Sequence, residues 1–203
     1  MDSIYDLIKE GFNFYDPSLN VGNVKPEPRQ FYRGHICEVK VMEVNVKKKY
    51  KAKVYNFSVE LAENKDRTYN VIDSDSSERK QVSGDVFKGK KIRGQGVFQF
   101  LVPKKGDSFE ANSGGNDKYL HLCESIGAKN DKVLVEIDGE EREIVRFPDL
   151  DNHDVLGKPI DAFLGIVKWK NKEGDFIESI MVKSYKLWAD GEARDLELED
   201  LPF

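Results

Sequence analysis

The sequence predicts a mainly β protein, a small antiparallel barrel with one short helix. Three observations support this fold class: short stretches rich in β-branched and aromatic residues, Gly and Asn turns between them, and a single helical pattern between the middle and late strands. No internal repeat is visible, and 203 residues suit one domain with appendages.

The first two strands are predicted at residues 36–46 and 50–61, separated by a run of lysines at 47–49. Alternation along the second strand places Lys51 and Lys53 on one face, which continues with aromatic and aliphatic side chains. That face therefore begins basic and becomes apolar.

The middle of the chain is predicted to contain a long charged loop at residues 62–92, because few aliphatic side chains occur there. A strand follows at 92–102, with glycines near its start that indicate a bulge. Residues 106–118 are rich in Gly, Asn and Ser and are predicted to form another loop.

The single helix is predicted at residues 118–126. A hairpin is expected at 132–137 and 142–147 around an Asp-Gly pair, and two further strands at 160–170 and 175–188. This succession of short strands with one helix suits an antiparallel barrel of the OB type, and a β-sandwich fits the strand count nearly as well.

Both ends are predicted to lie outside the barrel, with an extension at residues 1–28, the domain at 29–188 and an acidic tail at 189–203. No apolar stretch approaches the roughly 18 residues that a membrane span needs. The first residues lack the basic and apolar runs of a signal peptide, and the two cysteines form no CxxC pair. We therefore expect a cytoplasmic protein with reduced thiols and no membrane partner.

Charge is distributed unevenly along the chain, whose net charge is −5. Residues 29–105 hold 18 basic and 9 acidic side chains, whereas residues 189–203 hold 1 basic and 6 acidic ones. A strongly basic segment within an acidic protein indicates an anionic partner, such as nucleic acid.

Aromatic residues alternate with cations in this basic segment, a pattern typical of binding to single strands. Cations follow the phosphates, and each base stacked on an exposed ring contributes ~1–3 kcal/mol. We expect the tyrosines to be exposed, whereas Phe98 and Phe100 suit the core equally well. RNA suits the same contacts, because neither contact reads the sugar. The candidates for phosphates are Lys47, Lys48, Lys49, Lys51, Lys53, Arg67, Lys88, Lys90, Lys91 and Arg93, and those for bases are Tyr50, Tyr55, Tyr69 and Phe98.

The last five residues, Glu199, Asp200, Leu201, Pro202 and Phe203, place a short apolar tip behind acidic side chains. Such a tip is suited to enter a pocket on a partner protein, with the terminal carboxylate held by a basic residue. The same acidic side chains can cover a basic groove when DNA is absent. The alternative is an ordinary frayed acidic terminus.

Zinc ligands are suggested by two His-x-Cys pairs, His35 with Cys37 and His121 with Cys123. The second pair falls within the predicted helix, where residues two apart do not share a face. We therefore expect neither a metal nor a cofactor.

Catalysis has little support, because no phosphate-binding loop, HExxH or GxSxG motif occurs. The acidic group Asp149, Asp151 and Asp154 has the residue types that hold Mg²⁺ in a nuclease, although a solvated acidic loop is the simpler interpretation. An enzyme is not expected.

The tip at residues 200–203 resembles the acidic, Phe-terminated tip of bacterial single-stranded-DNA-binding proteins, although its acids are fewer and no low-complexity linker precedes it. Residues 31–188 resemble phage-encoded single-stranded-DNA-binding proteins with one OB fold, in the segments 87–91, 97–101, 119–126 and 156–159. The resemblance implies sequence-nonspecific binding during DNA replication or recombination, with tail contacts to replication enzymes.

Two alternatives to this function stay open. One is a β-barrel or sandwich interaction protein, such as a virion or recombination accessory factor, whose basic face meets an acidic protein. The other is the metal-dependent nuclease.

Overall fold

A computed structural model describes residues 25–47, 50–73, 76–100, 113–137, 139–171 and 173–196. These residues form a mainly β structure with antiparallel sheets and two α-helices. Almost all of the predicted extension 1–28 lies outside the described residues, as do Lys48, Lys49 and the tip 199–203.

The strands and helices follow one another in an order close to the predicted one. The strands are β1 (Phe31–Val46), β2 (Tyr50–Leu61), β3 (Thr68–Ile72), β4 (Arg79–Ser83), β5 (Lys91–Arg93), β6 (Val97–Phe100), β7 (Asp131–Ile137), β8 (Glu140–Arg146), β9 (Pro159–Lys170) and β10 (Phe176–Leu187). The helices are α1 (Ser113–Ser125), α2 (Asn152–Val155) and a 3-10 helix at Gly84–Phe87.

Six strands form the main sheet in the order β10-β9-β1-β2-β5, with β6 also paired to β2. Its ladders are antiparallel. The two edges of the sheet meet at one parallel bridge between Gly94 and Val182, where the Gln95 N–H donates to the Val182 carbonyl at 3.1 Å. The sheet therefore curls into a partly open barrel, and the predicted OB-like, mainly β fold class is confirmed.

The core lies inside this barrel and is built by alternate residues of its strands. On β2, Tyr55, Phe57, Val59 and Leu61 are buried, which confirms the predicted apolar face. Helix α1 closes the interior with the buried apolar side chains of Tyr119, Leu122 and Cys123.

The prediction of a long loop at residues 62–92 is wrong. The segment holds β3, β4, the 3-10 helix and β5. Few apolar residues occur there, but they alternate: Tyr69, Val71 and Val82 give the β3–β4 sheet one buried face, while its other face is exposed and, apart from Ile72, polar. Low average hydrophobicity conceals a strand that buries only one face.

Helix α1 begins at Ser113, within the segment 106–118 that was predicted to be a loop, so the loop prediction is wrong from residue 113 onward. A tertiary contact favours the early start, because the Asn116 side chain accepts a hydrogen bond from the Phe100 N–H at 2.9 Å. No α-helix in the described part of the chain has the length and apolar character to cross a membrane.

Candidate nucleic-acid interface

The outer face of the main sheet is the side opposite the core, and on β1, β2 and β6 it carries apolar and aromatic side chains. Residues paired across antiparallel strands share a face. Met42, Val54 and Phe98 form one such row. Val44, Ala52 and Phe100 form the next.

Cations continue this outer face toward the other end of the sheet. Lys40 lies opposite Asn56, and Arg93 lies opposite Ser58. Lys40 and Arg93 are exposed, and neither forms an ion pair with another described residue. Both cations are therefore available to an anionic ligand that follows the outer face.

Two aromatic rings lie next to one another on the outer face of β6. The ring centroids of Phe98 and Phe100 are 6.2 Å apart, and the rings are tilted by 22°. Phe98 is 36% exposed, although Ala52 and Val54 beside these rings are buried. The exposure of Phe98 resolves the choice that its sequence position left open, because Val97 and Gln99 take the inward positions instead.

A groove of about 510 Å³ runs beside these rings, where β6, α1, β9 and β10 meet. Lys118 is the cation in its wall, and Val167 and Met181 form its far side. The full lining is Gln95, Gly96, Phe98, Phe100, Lys118, Val167 and Met181.

The β9–β10 hairpin, whose two strands the sequence predicted, continues this surface, but its aromatic residues were missed as candidate site residues. Trp169 shares a face with the groove residue Val167, and it is exposed at the end of the hairpin. On the opposite face Phe176 is 71% exposed, and the Lys170 ammonium lies 5.0 Å from its ring centroid. The available signal was the pair Trp169 and Phe176 among lysines around a turn, but both residues lie outside the basic segment 29–105 on which the prediction rested.

The predicted role of Tyr55 in stacking bases is wrong, since Tyr55 is fully buried. Its hydroxyl lies 3.1 Å from Gln99 Oε1 and 3.0 Å from the Leu150 carbonyl, and burial raises its pKa to about 12.

Lys51 and Lys53 lie on the same face of β2, opposite to the face of Phe98. Lys53 pairs with Asp149, and Lys51 is exposed. These two lysines therefore do not join the rings of β6.

Tyr69 is also buried, so its predicted exposure is wrong. It stacks on Tyr32 with a centroid distance of 4.3 Å, and Phe87 packs edge-on against it. The neighbouring Arg67 donates two hydrogen bonds of 3.0 Å to the Asp161 carboxylate, which raises the pKa of the guanidinium. Both residues therefore hold the β3–β4 region to the barrel.

The remaining predicted cations are on the surface, and several have acidic neighbours. Lys88 pairs with Glu63 at 2.8 Å, and Lys91 pairs with Glu38 at 3.0 Å. Exposed pairs of this kind are weak, so phosphates can compete for the lysines.

The remaining residues predicted to bind phosphates or bases do not lie together on one surface of the described structure. Lys90 lies 5.5 Å above the Phe87 ring, and Lys47 occupies the β1–β2 turn with a φ of 49°. Lys48, Lys49 and the side chain of Tyr50 lie outside the described part of the chain.

The acidic group considered for Mg²⁺ has other partners. Asp151 caps α2, accepting hydrogen bonds from the His153 and Asp154 N–H groups, and the Asp154 side chain accepts one from the Asp151 N–H. Asp149 pairs with Lys53. The three carboxylates are therefore used in a capping box and an ion pair.

The two His-x-Cys pairs are held in different ways. His35 Nε2 lies 3.0 Å from the Glu192 carbonyl, and Cys37 Sγ lies 3.5 Å from the Ser58 carbonyl. His121 stacks on the Tyr185 ring, while Cys123 is fully buried, with its pKa raised to about 11 by burial. Among the described residues, no group of three His, Cys, Asp or Glu side chains is placed to hold a metal.

The first part of the predicted tail is docked against the barrel. The Arg194 N–H donates to the Gly157 carbonyl at 2.9 Å, and the Arg194 side chain pairs with Glu60 at 2.8 Å. Leu196 packs against the core. The predicted tail 189–203 is therefore in contact with the barrel as far as Leu196, and the residues of the tip, Glu199, Asp200, Leu201, Pro202 and Phe203, lie outside the described part.

The outer face and the groove thus combine a pair of rings with cations, the chemistry that single strands require. Comparison of this chain with models of known protein families gives no match, and comparison with curated proteins gives none either.

Proposed function

We propose that the protein binds single-stranded DNA without sequence preference. The observation that carries the proposal is the exposed Phe98 ring beside Phe100, in a groove with Lys118 and on the outer face that also carries Arg93. Bases of any identity stack on such rings because every base has a π face, while the cations attract the phosphates.

The arrangement favours single strands over duplex. A base stacks on Phe98 only when its face is free, and in a duplex both faces are covered by neighbouring base pairs. A duplex presents its phosphates to cations, so it is expected to bind weakly and through charge alone.

We propose further that the tip at residues 199–203 recruits a replication or recombination protein. The support is the acidic sequence ending in Leu-Pro-Phe, which suits a pocket with a basic rim. On this proposal the protein protects single strands and brings partner enzymes to them, and it makes and breaks no bond.

A fluorescence titration with single-stranded DNA, RNA of the same sequence and duplex DNA, at two salt concentrations, tests the binding proposal. We expect single-stranded DNA to bind more tightly than duplex. The logarithm of its affinity should fall with the logarithm of salt with a slope of about −0.7 per phosphate contacted. Equal affinity for duplex and single strand, or no binding at all, contradicts the proposal.

Phe98→Ala locates the binding site. We expect it to lower single-strand affinity by about 5- to 150-fold, the equivalent of ~1–3 kcal/mol for one lost stacking contact. Ile72→Ala is the matched control, because Ile72 is an exposed apolar residue on β3, away from the groove. An equal loss in both variants would place the ligand elsewhere.

A further inference from the structure

The β7–β8 hairpin stands apart from the main sheet. It forms its own two-stranded sheet, and within the described residues neither strand has a second neighbour. Leu134, at the centre of β7, is 71% exposed. A two-stranded hairpin alone is marginally stable in water, and an open strand edge is a template for pairing. The hairpin therefore lacks a partner along its edge.

The sequence of β7 is complementary to itself in the antiparallel direction. When β7 is placed against a second copy with Leu134 at the twofold axis, Leu134 faces Leu134 of that copy. Val133 then faces Val135, and Lys132 faces Glu136. Each of the last two contacts occurs twice by symmetry, so the pairing joins opposite charges around an apolar centre.

The hairpin by itself leaves a charge conflict that this pairing relieves. Glu136 lies directly opposite Glu141 on β8, and like charges in opposite positions destabilise a sheet. Lys132 reaches Glu143 at 2.7 Å and leaves Glu136 without a cation from β7. A second copy would bring its own Lys132 to the free side of Glu136.

The other edge of the hairpin is less suited to self-pairing. The register of β8 that places Glu141 against Arg146 also places Glu143 against Ile144, a charge against an aliphatic side chain. A shift by one residue places either Glu143 against itself or Arg142 against Arg146. Only β7 offers an apolar centre flanked directly by opposite charges, and its mismatch, Asp131 against Ile137, lies at the ends of the strand.

We propose that two copies of the chain pair through β7, forming a four-stranded antiparallel sheet in the order β8-β7-β7-β8. The outer face that carries Phe98 takes no part in this contact, so the proposal stands apart from DNA binding. An interface of one strand per copy is small, and the dimer is accordingly concentration-dependent.

Sedimentation equilibrium of the full chain without nucleic acid, over a range of protein concentrations, measures this dimer. Lys132→Glu places Glu against Glu136 of the second copy, and Glu136→Lys places Lys against Lys132. We expect each single variant to raise the dimer dissociation constant at least about tenfold. An equimolar mixture of the two variants should restore dimers, because every pair in the mixed dimer is again Glu against Lys.

Restoration by mixing separates pairing from simple loss of hairpin structure, since two hairpins that fail to fold cannot rescue one another. Lys129→Glu, the same charge change just before β7, should leave the dimer intact. Glu141→Lys gives Glu136 a cation within its own hairpin, so it should weaken the dimer, but less than Lys132→Glu does. A monomer at every concentration, a mixture that stays monomeric, or a larger loss of dimer in Glu141→Lys than in Lys132→Glu would overturn the proposal.

Discussion

Tyr55 is a residue whose neighbours decide its role. Its hydroxyl lies among the Gln99 side chain, the Leu150 carbonyl and the Tyr119 hydroxyl, all inside the barrel. We predict that Tyr55→Phe lowers the free energy of unfolding by ~1–3 kcal/mol, because buried polar groups lose a partner. Denaturant titration measures this loss. Single-strand affinity should stay unchanged at temperatures where the variant is folded, and a marked fall would return Tyr55 to the binding site.

The sequence establishes which residues of a strand share a face, but not which further element covers that face. Lys51, Lys53 and Tyr55 were correctly grouped on one face of β2, but α1 covers that face at Tyr55 while Lys51 stays exposed. Phe98 is placed outside by the same rule, because Val97 and Gln99 point inward. A ring beside a lysine is therefore a weak indicator of exposure until the fold is known.

At the scale of elements, the segment after β10 is fastened to the barrel through His35. The imidazole is buried, Nε2 donates to the Glu192 carbonyl, and Nδ1 is buried without a partner in the structure. Burial, together with the nearby Arg194, lowers the His35 pKa below 6.5, whereas the Glu192 carbonyl and Glu60 act in the opposite direction. The folded protein therefore disfavours protonation of this histidine.

We predict that this element loosens in acid. Because the folded-state pKa is lower than the unfolded one, the unfolded state binds the extra proton, and stability falls as the pH decreases below about 6.5. Hydrogen exchange of the Arg194 amide, which bonds to Gly157, should become faster between about pH 8 and about pH 5 once corrected for intrinsic rates. His35→Gln should remove this dependence.

Carboxyl groups such as that of Glu38 change the stability of the fold in a lower pH range than His35 does. Hydrogen bonds from Lys91 and Ser58 lower the Glu38 pKa from 4.5, so that its contribution to stability is lost only as the pH falls below that value. Loss of Arg194 protection that begins only below about pH 4.5 would therefore contradict the role of His35.

Strong local signals made some elements predictable. An Asp-Gly pair indicated the β7–β8 hairpin, a turn that ends at Gly174 indicated the β9–β10 hairpin, and a β-branched run indicated β1 from residue 36 onward. β3 and β4 were missed because a strand of five residues with three exposed positions has no clear composition signal. Helix α2 was missed because it is four residues long and is held by its capping box.

At the scale of the whole molecule, the acidic tail and the basic outer face are opposite charges on one chain. We predict that deletion of residues 197–203 leaves single-strand affinity unchanged or higher, and abolishes binding to a replication or recombination partner. The cut spares the docked residues up to Leu196, so the barrel keeps its contacts. Titration with single-stranded DNA and a pull-down with candidate polymerases or recombinases measure the two effects.

A charge-neutral variant with Glu197→Gln, Glu199→Gln and Asp200→Asn separates the two roles of the tail. It retains Phe203, so partner binding should persist in part while any competition with DNA disappears. A lower single-strand affinity after deletion would contradict competition between the tail and DNA.

The local excess of basic charge indicated an anionic ligand, which stays a prediction, and it did not locate the candidate site. The basic segment 29–105 is divided by the fold among the outer face, the core face of β2 and the β3–β4 region. The far wall of the groove comes from β9 and β10, distant in sequence. Pairings of this kind depend on sheet order, which no local pattern encodes.

The bridge between Gly94 and Val182 has a mechanical consequence. A Cβ at Gly94 would lie 2.7 Å from a carbon of the Phe57 ring, so the sheet edges can meet only where that methyl group is missing. Phe98 stands on one side of this seam and Met181 on the other, and in the described chain one bridge fastens them. A DNA strand bound in the groove would contact both sides of the seam and hold the two edges of the sheet together. Because the ligand would bind only the closed barrel, bound DNA would raise the melting temperature of the protein.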